Sequence, residues 1–258
     1  MHITDEMIMQ WVGQYFWPLC RVSAFMLVMP ILSARFIMAR VRLGLALAIT
    51  VAIVPYLPPA PAVPIWSAEA LFLIVNQILI GAILGFFIQL FFQVFQISGQ
   101  FVAMQNGLGF ATLVDPVNGI NVAAVGQIFL LMTNLLFLAL GGHLIVLEIL
   151  ISSFQVLPLA DSSHNTSLMM QVVHFASWMF RSALLVALPS VTALLITNVA
   201  FGVVARVSPQ LNIFSVGFPF NMAFGLVVLW VMVIGFLPIY ESIAEEALLV
   251  TQRVLLLR

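Results

Sequence analysis

Gln100-Phe-Val-Ala-Met104-Gln105-Asn106-Gly107-Leu108-Gly109-Phe110-Ala-Thr-Leu113-Val114-Asp115-Pro116-Val-Asn118-Gly119-Ile-Asn121 is the stretch where an otherwise greasy chain stops reading as a membrane helix. Gly107, Gly109 and Gly119, the turn pair Asp115-Pro116 and the amides of Gln105, Asn106, Asn118 and Asn121 argue against a continuous helix. Yet Met104, Leu108, Phe110, Leu113 and Val114 persist, and a solvated linker sheds such residues. The stretch therefore reads as an ordered loop with apolar contacts, set in protein or at a cavity rather than against lipid.

Around it the composition admits one broad class. Of 258 residues, 64% are hydrophobic and 7% charged, far from the soluble average of about a quarter charged. Several apolar runs exceed the roughly 18 residues of a spanning helix, and no ten-residue alternation suggests a transmembrane barrel. The chain reads as an all-α integral membrane protein. Its start, Met1-His-Ile-Thr-Asp-Glu6, is acidic where a secretory signal is basic, so no cleaved signal is expected. All eight basic residues are arginine, and with no basic patch nucleic-acid binding is excluded from the expected functions. The lone Cys20 reads as a packing residue and permits no intrachain disulfide.

In order, the first apolar segment runs from about Trp11 to Leu32 with Pro18 and Pro30 inside it, which predicts a kinked helix. Arg21 lies well within that segment, where a cation needs a partner, a carbonyl or water; helix packing and snorkelling both account for it. Arg35, Arg40 and Arg42 follow on a short connector of inner-side character. A brief segment, Leu43 to Leu57, leads to the proline-dense stretch Pro55 to Pro64, a stiff outer connector without basic residues.

The third segment, Ala70 to about Phe101, reaches about 45 Å as a helix against a hydrocarbon core of about 30 Å. Gly81 and Gly85 form a small-xxx-small pair within it. Gln89, Gln93, Gln96 and Gln100, at spacings of four, three and four, share one helical face, with Phe86, Phe87, Phe91, Phe92 and Phe95 on other sides. Such a polar face serves interhelical hydrogen bonding or a wet, uncharged pore or subunit surface; neither use leaves the amides in lipid.

After the loop, an apolar region from about Val122 to Leu159 is broken at Gly141-Gly142-His143, as two helices or one bent one. Its internal acid, Glu148, is a candidate partner for Arg21 or for Arg181. The histidines stand at no ligand or nucleophile spacing, so no metal site, cofactor or catalytic residue is expected, and no enzyme. Asp161 to Ser167 is a polar outer loop. A long segment, Leu168 to Ala205, carries Arg181 and Pro189. A compact turn, Arg206-Val-Ser208-Pro209-Gln210-Leu-Asn212-Ile-Phe-Ser-Val-Gly-Phe-Pro219, returns a basic residue to the inner side. Phe220 to Tyr240 runs outward, and Glu241 to Arg258 forms a tail whose Ile243, Ala247, Val250 and Val254 recur at helical spacing, predicting an amphipathic helix on a partner or interface. The basic connectors give six formal spans with both termini outside.

The loop motif and the turn Arg206 to Pro219 together resemble the FliR family of flagellar type III export-gate proteins, with a virulence-secretion relative in the SctT family. The resemblance covers the whole chain in length and segment order. It implies a FliP-like part over residues 1–167 and a FliQ-like helical hairpin with its tail over 168–258. It further implies long kinked helices that pack on FliP and FliQ homologues in a helical assembly around a closed export channel. A FlhB homologue would lie at the inner mouth, unfolded export substrates would pass through, and the site would be the bacterial inner membrane at the flagellar basal body, with lipid around the assembly.

Carried onto this sequence, the family's plug loop falls on about Gln105 to Asn121. Its residues are Met104, Gln105, Asn106, Gly107, Leu108, Gly109, Phe110, Leu113, Val114, Asp115, Pro116 and Gly119; Phe110, Leu113 and Val114 are candidates to fill the channel. The inner-mouth turn falls on Arg206, Ser208, Pro209, Gln210 and Asn212. Two other classes remain open to this reading. A small-molecule or ion transporter would place several charges at its broken helix, where this loop has Asp115 alone. A pore-free assembly scaffold would need no plug.

Overall fold

A computed structural model describes residues 5–34, 37–61, 63–64, 67–114, 121–159, 165–207 and 213–256. The helices run in the order α1 (Asp5–Val28), α2 (Pro30–Ser33), α3 (Ala39–Ile53), α4 (Ala68–Gln105), α5 (Ala124–Ala139), α6 (Gly142–Val156), α7 (Asn165–Val207), α8 (Ile213–Ile234) and α9 (Phe236–Leu256). Between α4 and α5 lie two short strands, β1 (Thr112–Val114) and β2 (Asn121–Ala123). The all-α membrane class holds, with this ribbon as its one addition among the described residues.

Pro18, Pro189 and Pro219 each sit inside a helix. In apolar surroundings a broken backbone finds no water, so continuing the helix around a missing N–H costs less than ending it. The same pressure shortens two expected connectors. Asn165 to Ser167 belong to α7 rather than to the polar loop, and Ile213 to Pro219 belong to α8 rather than to the turn. Likewise α4 continues four residues past its expected end at Phe101, and its 38 residues reach about 57 Å.

Among the described residues, four helical stretches are long and apolar enough to cross a membrane: Ala39–Tyr56, Ala68–Gln105, Met169–Val207 and Gly217–Ile234. The pair α5 and α6, broken at Leu140-Gly141, makes a fifth if taken as one span. This is fewer than the six formal spans. The difference is α1, which carries Gln10, Gln14 and Arg21 and behaves as a core helix, with Trp17, Val22, Phe25 and Met26 all buried.

The chain divides into two compact units: Met1–Leu90 with Gly141–Phe175 and Leu249–Arg258, and Phe91–Leu140 with Ala176–Leu248. In the first, α4 meets α1 at the expected glycine pair. A Cβ on Gly81 would run into the Arg21 carbonyl and the Ala24 side chain, and one on Gly85 would lie 2.8 Å from the Phe25 carbonyl oxygen. Only glycine permits this approach. Phe87 stacks on Phe175 at 4.8 Å, and the Gln14 side chain accepts a hydrogen bond from the Ala60 amide (2.8 Å), fastening the proline-rich connector to α1.

Arg21 is the centre of this unit, and it is fully buried. Its Nε donates to Gln77 Oε1 (2.8 Å), Nη1 to the Ser153 carbonyl (2.9 Å) and hydroxyl (3.3 Å), and Nη2 to the Leu157 carbonyl (2.8 Å). Its Cζ lies 4.2 Å from the centre of the Phe154 ring. The partners are neutral, and two are carbonyls at the end of α6, where the helix dipole attracts a cation; the Ser153 carbonyl also accepts the Leu157 amide (2.9 Å). Arg21 is thus a packing residue rather than a snorkelling one. Glu148 is not its partner: that carboxylate lies on an exposed position of α6.

The second unit is built on aromatic contacts. Phe95 packs against Phe236 and Tyr240, Phe91 against Tyr240, Phe92 against Phe137, and Phe129 against Phe236, at ring separations of 5.2–5.8 Å. Here the tail expectation needs correcting. The helix begins at Phe236, after Gly235, and its stripe of Phe236, Tyr240, Ile243 and Ala247 is buried within this chain. Val250 is half-buried, and the Val254 side chain lies outside the described residues.

Replacing Arg21 by Ala takes the guanidinium from two buried acceptors that have no other donor among the described residues, Gln77 Oε1 and the Leu157 carbonyl, and each orphaned group costs about 1–3 kcal/mol. Arg21→Ala is expected to lower the unfolding free energy of the detergent-purified chain by about 3 kcal/mol or more, with Arg21→Lys recovering only part of it because an ammonium lacks the planar fork. Glu148→Gln should stay within about 0.5 kcal/mol of the parent; an equal loss there would overturn the assignment of neutral partners.

Candidate functional site

Helix α4 ends where Asn106 makes its last helical bond, N–H to the Val102 carbonyl (3.0 Å), and Gly107 turns left-handed at φ 74°, ψ 4°. A glycine at this position is the usual way for a helix to stop. One 3₁₀ turn over Leu108–Phe110 follows, closed by the Ala111 amide on the Leu108 carbonyl (3.0 Å). The β-branched residues of Thr112-Leu-Val114 and Asn121-Val-Ala123 then suit an extended ribbon. The strands pair antiparallel, Thr112 with Ala123, Leu113 with Val122 and Val114 with Asn121. The Ala124 amide adds a bond to the Ala111 carbonyl (2.8 Å) at the start of α5. The excursion is thereby tied shut at its base, and its apex, residues 115–120 with Asp115, Pro116 and Gly119, lies outside the described residues.

Helix α8 holds the root of this excursion. Asn221 Nδ2 donates to the Gln105 carbonyl (3.2 Å), the Asn106 side chain lies against Gly225, and the Phe218 ring covers Gly107. Asn106 is completely buried, and Val122 at the ribbon's base is buried too. Met104, expected on the loop, lies instead in the last turn of α4 and is 74% exposed, while Leu113 on β1 is 49% exposed, so apolar side chains face outward beside an anchored root. Ala111 and Thr112 are exposed beside them, while Leu108 and Gly109 are half-buried.

Residues 12–247 match the family described as "Bacterial export proteins, family 1". The chain is similar to the flagellar biosynthetic protein FliR of Escherichia coli (strain K12), 39% identical over 95% of this chain and 94% of that protein. It is also similar to the FliR protein of Pectobacterium carotovorum, 36% identical over 93% and 90%. The chain belongs to the FliR family. A more distant likeness, 28% identity over 62% of each chain, is to the surface presentation of antigens protein SpaR of Shigella sonnei.

The other residues singled out in this FliR-family sequence are spread along the fold. Gln89 is half-buried in the first unit. In the second, Gln93 and Gln100 are half-buried and Gln96 is buried; α5 crosses beside them at Gly126, where a Cβ would lie 2.8 Å from the Gln96 carbonyl oxygen and 3.1 Å from Gln100 Cγ. Arg206 is exposed in the last turn of α7, where its charge complements the helix dipole. Ser208, Pro209, Gln210 and Asn212 of the inner-mouth turn lie outside the described residues. Arg181 is exposed on α7, as Glu148 is on α6.

Sequence reading missed the ribbon and the α8 seat. A signal for the seat existed: Asn221 is the one amide in the apolar run 217–234, and Phe218, Asn221 and Gly225 share a helical face by their spacing of three and four. The ribbon can be checked by crosslinking. Opposed Cα atoms of an antiparallel pair lie about 4.5–5.5 Å apart, within disulfide reach of about 4.4–6.8 Å. In a Cys20→Ala background, the pair Thr112→Cys with Ala123→Cys should oxidise to an intrachain disulfide far more fully than Thr112→Cys with Asn121→Cys. Equal yields would refute the register.

Proposed function

We propose that this chain is a non-enzymatic membrane subunit of the flagellar type III protein export gate, and that the loop from Gln105 to Asn121 is the gate's closed-state plug. The observation that carries the reading is an apolar loop, exposed at Leu113 and preceded by an exposed Met104 in the last turn of α4, on a base fixed by a β-ribbon and by α8. Family membership and the flagellar names of the relatives supply the setting.

The physical case follows from the task. A protein-conducting gate must pass unfolded chains and hold back ions and water. Apolar side chains can dewet a constriction and then move aside, and a loop with Asp115 as its lone charge offers a passing chain little to bind. Phe110, Leu113 and Val114 are the proposed filling, with Gly107 as the hinge and Gly109 and Gly119 as turns. Residues 1–167 act as a FliP-like part and 168–258 as a FliQ-like hairpin with its tail, joining FliP and FliQ homologues around the channel. Arg206, Ser208, Pro209, Gln210 and Asn212 form the inner-mouth turn, near a FlhB homologue. The assembly sits in the bacterial inner membrane at the flagellar basal body. The Gln93, Gln96 and Gln100 face offers uncharged hydrogen bonding next to the plug.

Deleting Leu108 to Val114 should raise small-ion leakage through the assembled gate in resting cells, and the full chain should co-purify with its FliP and FliQ homologues. Unchanged leakage in a gate that still assembles would rule out the plug. Failure to co-purify would remove the assembly. A photo-crosslinker at position 110 should capture a stalled export substrate, which a pore-free scaffold would not do.

A further inference from the structure

The root of the loop is held by shape more than by hydrogen bonds. Asn106 is fully buried, yet neither its Oδ1 nor its Nδ2 has a hydrogen-bond partner among the described residues. Its amide lies flat on the α8 backbone at Gly225, where a Cβ would fall 2.5 Å from Cγ, 2.5 Å from Oδ1 and 2.8 Å from Nδ2. One turn earlier, Asn221 spends its Nδ2 on the Gln105 carbonyl, and its own Oδ1 is buried without a partner among the described residues. One turn earlier again, Phe218 Cε2 lies 2.9 Å from where a Gly107 Cβ would stand. Three successive residues of the root, Gln105, Asn106 and Gly107, are thus each met by one residue of a single α8 face.

Buried polar atoms are rarely left unpaired, and each one favours any alternative state in which it finds a partner. An apolar residue of the same outline would fill the seat without that penalty. We propose that Asn106 on Gly225 is a release latch: shape closes it, and the unpaired amides keep it shallow, so that a chain in transit can lift the loop root off α8. Once lifted, the Asn106 amide is free to bond with water or with the backbone of the passing chain. This rests on the reading of the loop as the plug.

The test uses cells whose only copy of this chain carries the substitutions, with resting ion leakage, rate of subunit export and gate assembly all measured. Gly225→Ala should unseat Asn106 and raise resting leakage. Adding Asn106→Ala removes all three clashing atoms, so the double variant should return leakage towards the parent value, a non-additive result. Asn106→Leu keeps the outline without the unpaired amide; it should slow export roughly tenfold in an assembled gate with no rise in leakage. The latch is overturned if Gly225→Ala leaks no more than the parent, if Asn106→Ala fails to relieve that leak, or if Asn106→Leu exports at the parent rate or faster. Deletion of Leu108 to Val114 separates the two ideas. A leaky deletion beside a tight Gly225→Ala keeps the plug and discards the latch, whereas a tight deletion discards the plug itself.

Discussion

Wherever a helix breaks in apolar surroundings, its terminal amides and carbonyls must find partners inside the protein, and the breaks in this chain are placed by where such partners exist. The end of α6 is met by the Arg21 guanidinium, which gathers the Ser153 and Leu157 carbonyls. The end of α4 is met by Asn221, by the turn at Gly107 and by the ribbon that carries the chain back to α5. Between α5 and α6 the left-handed Gly141, at φ 73°, turns the chain while the Leu140 amide bonds back to the Leu136 carbonyl. Three internal prolines cause no such break, because continuing costs less than exposing unpaired backbone.

The same rule governs the few charges. A buried arginine is expensive, and pairing it with a carboxylate would bury a second charge. Here the balance is struck with a helix end, two side-chain oxygens and an aromatic face, all neutral. With neutral partners, no titratable group has to keep its proton state for this contact to hold. It also leaves Glu148 and Arg181 on exposed positions, where lipid headgroups, water or neighbouring proteins meet them.

Much of this was legible in the sequence, and the failures share a cause. The helix-packing glycines at 81 and 85, the break at Gly141-Gly142 and the loop after α4 follow from small residues and turn residues, which act locally. The partner of Arg21 was not legible, because Gln77 and the α6 end lie 56 and more than 130 residues away, and carbonyls leave no mark in composition. The tail stripe was legible as a stripe, but not the surface it would face; Tyr240 and Phe236 found Phe91, Phe95 and Phe129 in their own chain. At the candidate site, the glycines announced a loop, whereas the three-residue strands are too short to declare a period. The role of Gly225 is invisible until Asn106 lies against it.

What the chain does not bury is as informative as what it does. Of the apolar windows, that of α4 is 44% buried within the chain, that of α7 22% and that of α8 only 11%. Leu226, Val227, Trp230, Val231 and Ile234 of α8 are all more than half exposed, and lipid or protein neighbours must cover them. By helical spacing these residues lie across α8 from Phe218, Asn221 and Gly225. A neighbour packed on Trp230 and Val231 therefore bears on the helix whose other face seats the loop root. Because Gly225 leaves no spare room above Asn106, even a small displacement of α8 changes how well that seat fits.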